Sequence, residues 1–95
     1  MAATIAVKFY GLLRGRLRTA AVEIEGDDLT VLELLRRAEE TAGRSFLDEL
    51  LDREQGLLTG TIILVNGDNV RLRRGLETRV GAGDRIDLFS PAGGG

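Results

Sequence analysis

Residues 30–43 read Thr30-Val31-Leu32-Glu33-Leu34-Leu35-Arg36-Arg37-Ala38-Glu39-Glu40-Thr41-Ala42-Gly43. Thr30 and Glu33 have the T-x-x-E spacing of a capping box, in which each side chain satisfies the other residue's free backbone amide and starts a helix. Val31, Leu34, Leu35, Ala38 and Ala42 follow the i, i+3, i+4, i+7, i+11 stripe of a helix with one buried face, while Glu33, Arg36, Arg37, Glu39 and Glu40 cover the rest. Gly43 is placed to stop the helix in the left-handed conformation. One amphipathic helix of this length needs a sheet to cover.

The flanks supply one. Upstream, Thr4 to Tyr10 alternates Ile5, Val7 and Phe9 with Ala6, Lys8 and Tyr10, the two-residue period of a half-buried strand. Ala20, Val22 and Ile24 alternate in the same way with Ala21, Glu23 and Glu25. The intervening Gly11 to Arg18, with Arg14, Arg16 and Arg18, reads as a polar loop joining an antiparallel pair. Downstream, Phe46, Leu47, Leu50 and Leu51 have helical spacing and predict a short second helix over Ser45 to Leu51, followed by a polar loop from Asp52 to Gly60. Thr61 to Val65 is a β-branched and Leu run, expected at the sheet centre or covered on both faces. Asn66-Gly67 supplies the positive φ angles of a tight hairpin, so Val70 to Leu72 is expected to pair back as a short strand. After turns at Gly75 and at Gly81 to Asp84, Arg85 to Phe89 sets Ile86 and Leu88 against Asp87 and Phe89 in a final strand. The fold class is α+β: a ubiquitin-like β-grasp with a mixed sheet of about five strands, covered by one long helix plus a short one. The globular domain is expected over residues 1–89, and residues 90–95 are expected to form a flexible glycine tail.

Composition narrows the chemistry. With 95 residues, of which 43% are hydrophobic, the chain closes one core and has no room for two. Cysteine and histidine are both absent, which removes disulfides, thiolate nucleophiles, a histidine base and the usual zinc, copper or haem ligands. No metal or cofactor is expected to be bound. The remaining candidates for intrinsic catalysis, among them Tyr10 and Lys8, form no suggestive cluster, so the chain reads as a substrate or partner of enzymes and not as an enzyme. A net charge of −2 exerts no pull toward nucleic acid or an anionic membrane. No apolar run approaches the roughly 20 residues of a membrane span, and no secretory leader is visible, so a cytoplasmic location is expected.

The run from Ile63 to Gly95, I-L-V-N-G-D-N-V-R-L-R-R-G-L-E-T-R-V-G-A-G-D-R-I-D-L-F-S-P-A-G-G-G, closely resembles the small subunit of molybdopterin synthase and its sulfur-carrier relatives, the MoaD/ThiS family. V-K-F-Y-G-L-L-R at residues 7–14 and T-V-L-E-L-L at residues 30–35 resemble that family's first strand and helix start. Two features depart from the family pattern. Ser90 stands where a Pro-Pro pair is common, and residues 43–60 are longer than in the shortest members.

The resemblance implies that Gly95 is adenylated by an ATP-dependent E1-like enzyme and thiocarboxylated at its carboxylate, with Gly94 beside it. The carrier itself binds no cofactor, ATP being used by the activating partner. The implied second partner is the large catalytic subunit of molybdopterin synthase or another sulfur acceptor, in cysteine, thiamine or tRNA thiolation. Glycines suit such a tail, since without a Cβ an extended chain of about 3.3 Å per residue can thread a narrow channel.

Phe89, Pro91 and Gly93 are the expected partner contacts, with Leu57 and Leu58 behind them. Arg71, Arg73, Arg74 and Arg79 form a possible basic patch, against which stands the ordinary reading of a solvated face. Lys8 is the only lysine, which disfavours ubiquitin-style polymers but leaves a modifier role open. A reading of a different class is an interaction module of the same fold with an inert tail.

Overall fold

The computed structural model describes residues 3–91. The expected helix forms as α2 (Val31–Ala42). Its capping box is complete: the Glu33 amide donates to the Thr30 hydroxyl at 3.1 Å and the Thr30 amide donates to the Glu33 carboxylate at 2.9 Å. Gly43 ends the helix at φ 73° with its amide on Glu39. Val31, Leu34, Leu35 and Ala38 are all buried.

Their cover is a mixed sheet of five strands in the order β2 (Ala21–Glu25), β1 (Thr4–Phe9), β7 (Arg85–Phe89), β4 (Ile62–Val65), β5 (Asp68–Asn69). β1 and β7 run parallel in its middle, with Phe9 opposite Leu88, and every other pairing is antiparallel. Ile5, Val7 and Phe9 of β1, Ile24 of β2, Ile63 and Val65 of β4, and Ile86 and Leu88 of β7 join the helix stripe in a single core. Phe46 meets Phe9 edge-to-face, with centroids 5.3 Å apart, and closes one end of that core. This is the β-grasp expected.

Four local readings are corrected. Gly11 to Arg18 is not a loop: Gly11–Leu17 is helix α1, which buries Leu13 and Leu17 at an i, i+4 spacing and leaves its arginines in solvent. Ser45 to Leu51 holds only a 3-10 turn at Leu47–Glu49, although Phe46, Leu50 and Leu51 are buried as the spacing required. The short helix is thus α1. Val70–Leu72 is likewise a 3-10 turn, because Asn69 accepts the Arg71 amide on its side chain and bends the chain after a two-residue β5. Finally, β4 is covered on one face only; Ile62 on the other is 41% exposed.

The Asn66-Gly67 hairpin has the expected geometry, with φ of 51° and 89° at the two positions. Asn66 also receives the Arg85 amide at 2.9 Å and donates to Asp84 at 2.9 Å, which ties this turn to the one that launches β7. A second, two-stranded sheet, β3 (Leu29–Thr30) with β6 (Arg79–Val80), fixes the entry to α2. No helix among the described residues is long and apolar enough to cross a membrane.

Truncating Leu35 to Ala should cost about 2–5 kcal/mol, because the side chain is fully buried in the core; urea denaturation checks this, and a loss within error of zero contradicts the packing. Thr30→Ala should cost about 1 kcal/mol through loss of the cap. The Thr30 amide and hydroxyl bonded to Glu33 hold its carboxyl below the ordinary carboxylate range. Its contribution is therefore present above the unfolded-chain pKa and is lost as pH falls through the lowered folded value. The stability gap between the native chain and Glu33→Ala should accordingly shrink as pH is lowered from neutral through the lowered folded value.

Candidate tail-presenting site

Alternation along β7 turns Ile86 and Leu88 into the core and Asp87 and Phe89 onto the open face of the sheet. The parallel register with β1 brings Tyr10 beside Phe89, and the antiparallel register with β4 sets Ile62 opposite Phe89. A row of three apolar side chains, Tyr10, Phe89 and Ile62, thus crosses the open face where β7 ends. Phe89 is half-buried and lies outside the core; the ring beneath it is that of Tyr10, at 4.5 Å between centroids and 11° between planes.

Behind this row sits a carboxylate. Asp87 is only 5% exposed although it points away from the core. Its Oδ1 accepts from the Tyr10 hydroxyl at 2.8 Å and its Oδ2 from Arg85 Nε at 3.3 Å, so both oxygens have partners. The bond to the Asp87 carboxylate raises the Tyr10 pKa above the ordinary tyrosine value, with burial and the negative charge of Asp87 acting in the same direction. Lys8 of β1 and Leu64 of β4 flank Asp87 in this next cross-strand row.

Pro91, the last described residue, is half-buried against the loop that enters β4. Gly60 in that loop has φ 91°, and a Cβ added to it would lie 3.3 Å from the Pro91 Cβ. Glycine here is what allows the loop and the outgoing chain to approach. Of the residues expected to act, Phe89 and Pro91 are therefore brought to one exit, while Gly93, Gly94 and Gly95 lie outside the described residues.

The other candidates are largely engaged within the fold. Arg73 pairs with Asp68 at 2.6 Å, Arg79 with Asp28 at 2.7 Å, and Arg71 donates to the Leu58 carbonyl at 2.7 Å. That leaves Arg74 alone of the four without such a bond among the described residues. Leu57 packs on the core edge, and Leu58 lines a hollow of about 500 Å³ with Leu47 and Leu51. Sequence reasoning placed Tyr10 outward on β1 but missed its grip on β7, since that contact spans 77 positions and only the parallel register creates it. The described residues contain no cluster of three or more potential metal-ligating side chains.

The model of the ThiS family matches residues 7–95. A protein of Archaeoglobus fulgidus named "Putative sulfur carrier protein" is 36% identical over 74 residues, covering 78% of this chain and 83% of that one. Among solved structures, CysO in the BexX/CysO complex of Amycolatopsis orientalis aligns with TM-score 0.76 and 28% identity, covering 96% of this chain and 99% of that chain. SAMP1 from Haloferax volcanii aligns with TM-score 0.78 over 97% of this chain and 99% of its own, and at 22% identity it speaks for the fold alone. The chain belongs to the ThiS family of small ubiquitin-like sulfur carriers, which are not themselves catalysts.

Proposed function

We propose that this chain carries sulfur as a thiocarboxylate on Gly95 and serves as the small subunit of a molybdopterin synthase. The carboxylate would attack ATP in an E1-like partner, releasing pyrophosphate and forming an acyl-adenylate. Sulfide from a donor then displaces AMP, leaving C(=O)S⁻ at the chain end. In the large subunit the thiocarboxylate sulfur attacks a carbon of a pterin precursor and displaces an oxygen leaving group, and hydrolysis of the acyl–sulfur bond leaves the sulfur on the product and returns the carboxylate. Adenylation is needed because a free carboxylate is a poor acyl donor.

The observation that carries this reading is the family match running through Gly94 and Gly95, onto a sheet end where exposed Ile62 stands beside half-buried Phe89. Ordering the tail in a partner costs roughly 1–2 kcal/mol per residue, which contacts of the globular face must offset. Phe89 and Ile62 are suited to that docking, with Pro91 and Gly93 along the exit. A second reading shares the chemistry but not the acceptor: sulfur delivery in cysteine, thiamine or tRNA thiolation, supported by the likeness to CysO, which is found in a complex with another protein, BexX.

Incubation with ATP, an E1-like enzyme and sulfide should add the mass difference between one sulfur and one oxygen, localised to Gly95. Supplying the large synthase subunit with its pterin precursor, or another candidate acceptor, then assigns the pathway by which of them discharges the sulfur. Deleting Gly95 should abolish the mass gain and leave the melting temperature unchanged. A native chain that stays unmodified beside an active control carrier would refute the proposal and favour the interaction module with an inert tail.

A further inference from the structure

Tyr10 touches three consecutive residues at the end of β7. Its hydroxyl donates to Asp87 at 2.8 Å, its amide donates to the Leu88 carbonyl at 3.2 Å, and its ring lies flat on Phe89. Tyr10 is itself fixed from the other side. It is the N-cap residue of α1, whose Leu13 and Leu17 are buried in the core. Two residues beyond Phe89, Gly60 gives Pro91 a close wall on the β4 side.

From these contacts we infer that Tyr10 is a positioning residue: it sets the direction in which the chain leaves the sheet, and so presents the tail to the activating partner. Strand pairing alone does not give this. A strand end is where pairing frays, and direction is lost within the first residues beyond the last hydrogen bond. Here the last outward side chain before the exit rests on a ring anchored to two neighbouring residues of the same strand, and Pro91, whose φ is fixed by its own ring, adds a stiff link. The Asp87 carboxylate is oriented by Arg85 as well, so the phenol meets an acceptor already in place.

A held root matters because only the last few residues have to find the partner's active site. Fixing the start of a short tether raises the local concentration of its end where it is needed, without adding any contact to the docking surface. Loss of Tyr10 should therefore act on turnover and spare affinity.

The part of this inference that concerns activation rests on the sulfur-carrier reading; the part that concerns the exit direction does not. Tyr10→Ala and Tyr10→Phe are compared with the native chain in two measurements, both made well below each melting temperature. Amide hydrogen exchange at Phe89, which pairs with Ile62 of β4, referenced to Ile86 in the core, should accelerate about tenfold in Tyr10→Ala and much less in Tyr10→Phe, which keeps the ring on Phe89. In adenylation by the E1-like enzyme, kcat for Tyr10→Ala should fall about tenfold with KM within about twofold, while Tyr10→Phe recovers most of the loss.

Unchanged exchange at Phe89 in Tyr10→Ala overturns the inference. So does a Tyr10→Phe variant that turns over as slowly as Tyr10→Ala with native exchange, since the hydroxyl would then act chemically. If the native chain is not adenylated at all, the carrier reading fails and the exchange data alone decide whether Tyr10 holds the exit. Should Tyr10→Ala not fold, Tyr10→Leu makes the same comparison, keeping apolar cover over Phe89 without the flat ring or the hydroxyl.

Discussion

The parallel pairing of β1 with β7 is the constraint on which the rest of the molecule depends. It joins two strands from opposite ends of the sequence in the middle of the sheet, and β2 and β4 can only add outside them. Its register places Val7 beside Ile86 and Phe9 beside Leu88 on the core face, so the apolar stripe of α2 meets a continuous surface. The same register, read on the other face, sets Tyr10 next to Phe89. Core and exit are two sides of one alignment, and a slip by one residue would exchange them.

What could be read from the sequence was whatever is encoded locally. The capping box of α2, the Asn66-Gly67 turn and the alternation of β1 and β7 each depend on residues within a few positions of one another, and each is present as expected. α1 was hidden because Gly11, Gly15 and three arginines suggest a loop, while its helical signal is just the pair Leu13 and Leu17, which becomes decisive once a core exists to receive it. β3 and β6 have two residues each, too few for any periodicity to show. Val70–Leu72 looked like a strand by composition, yet the Asn69 side chain competes for the backbone and turns it.

The exit was partly legible for the same reason. Phe89 and Pro91 stand out by position, adjacent to the glycines, whereas Tyr10 and Gly60 are drawn to them by tertiary structure alone. Asp87 illustrates the limit: alternation marks it as outward and therefore wet, but the phenol and guanidinium above it leave it nearly without solvent. The four arginines that look like a patch in the sequence mostly serve as fasteners for neighbouring loops, as expected for charges with a carboxylate or carbonyl within reach.

The central pairing also decides how the chain can be divided. Residues before the exposed loop at 52–56 contain β1, β2 and both α-helices; those after it contain β4, β5 and β7. Each piece alone would carry an open strand edge, β1 in one and β7 in the other, and a core face with nothing to cover it. A cut in that loop therefore yields two fragments whose best available partners are each other, and the molecule has the layout of a split reporter in which reassembly restores the sheet and the exit together.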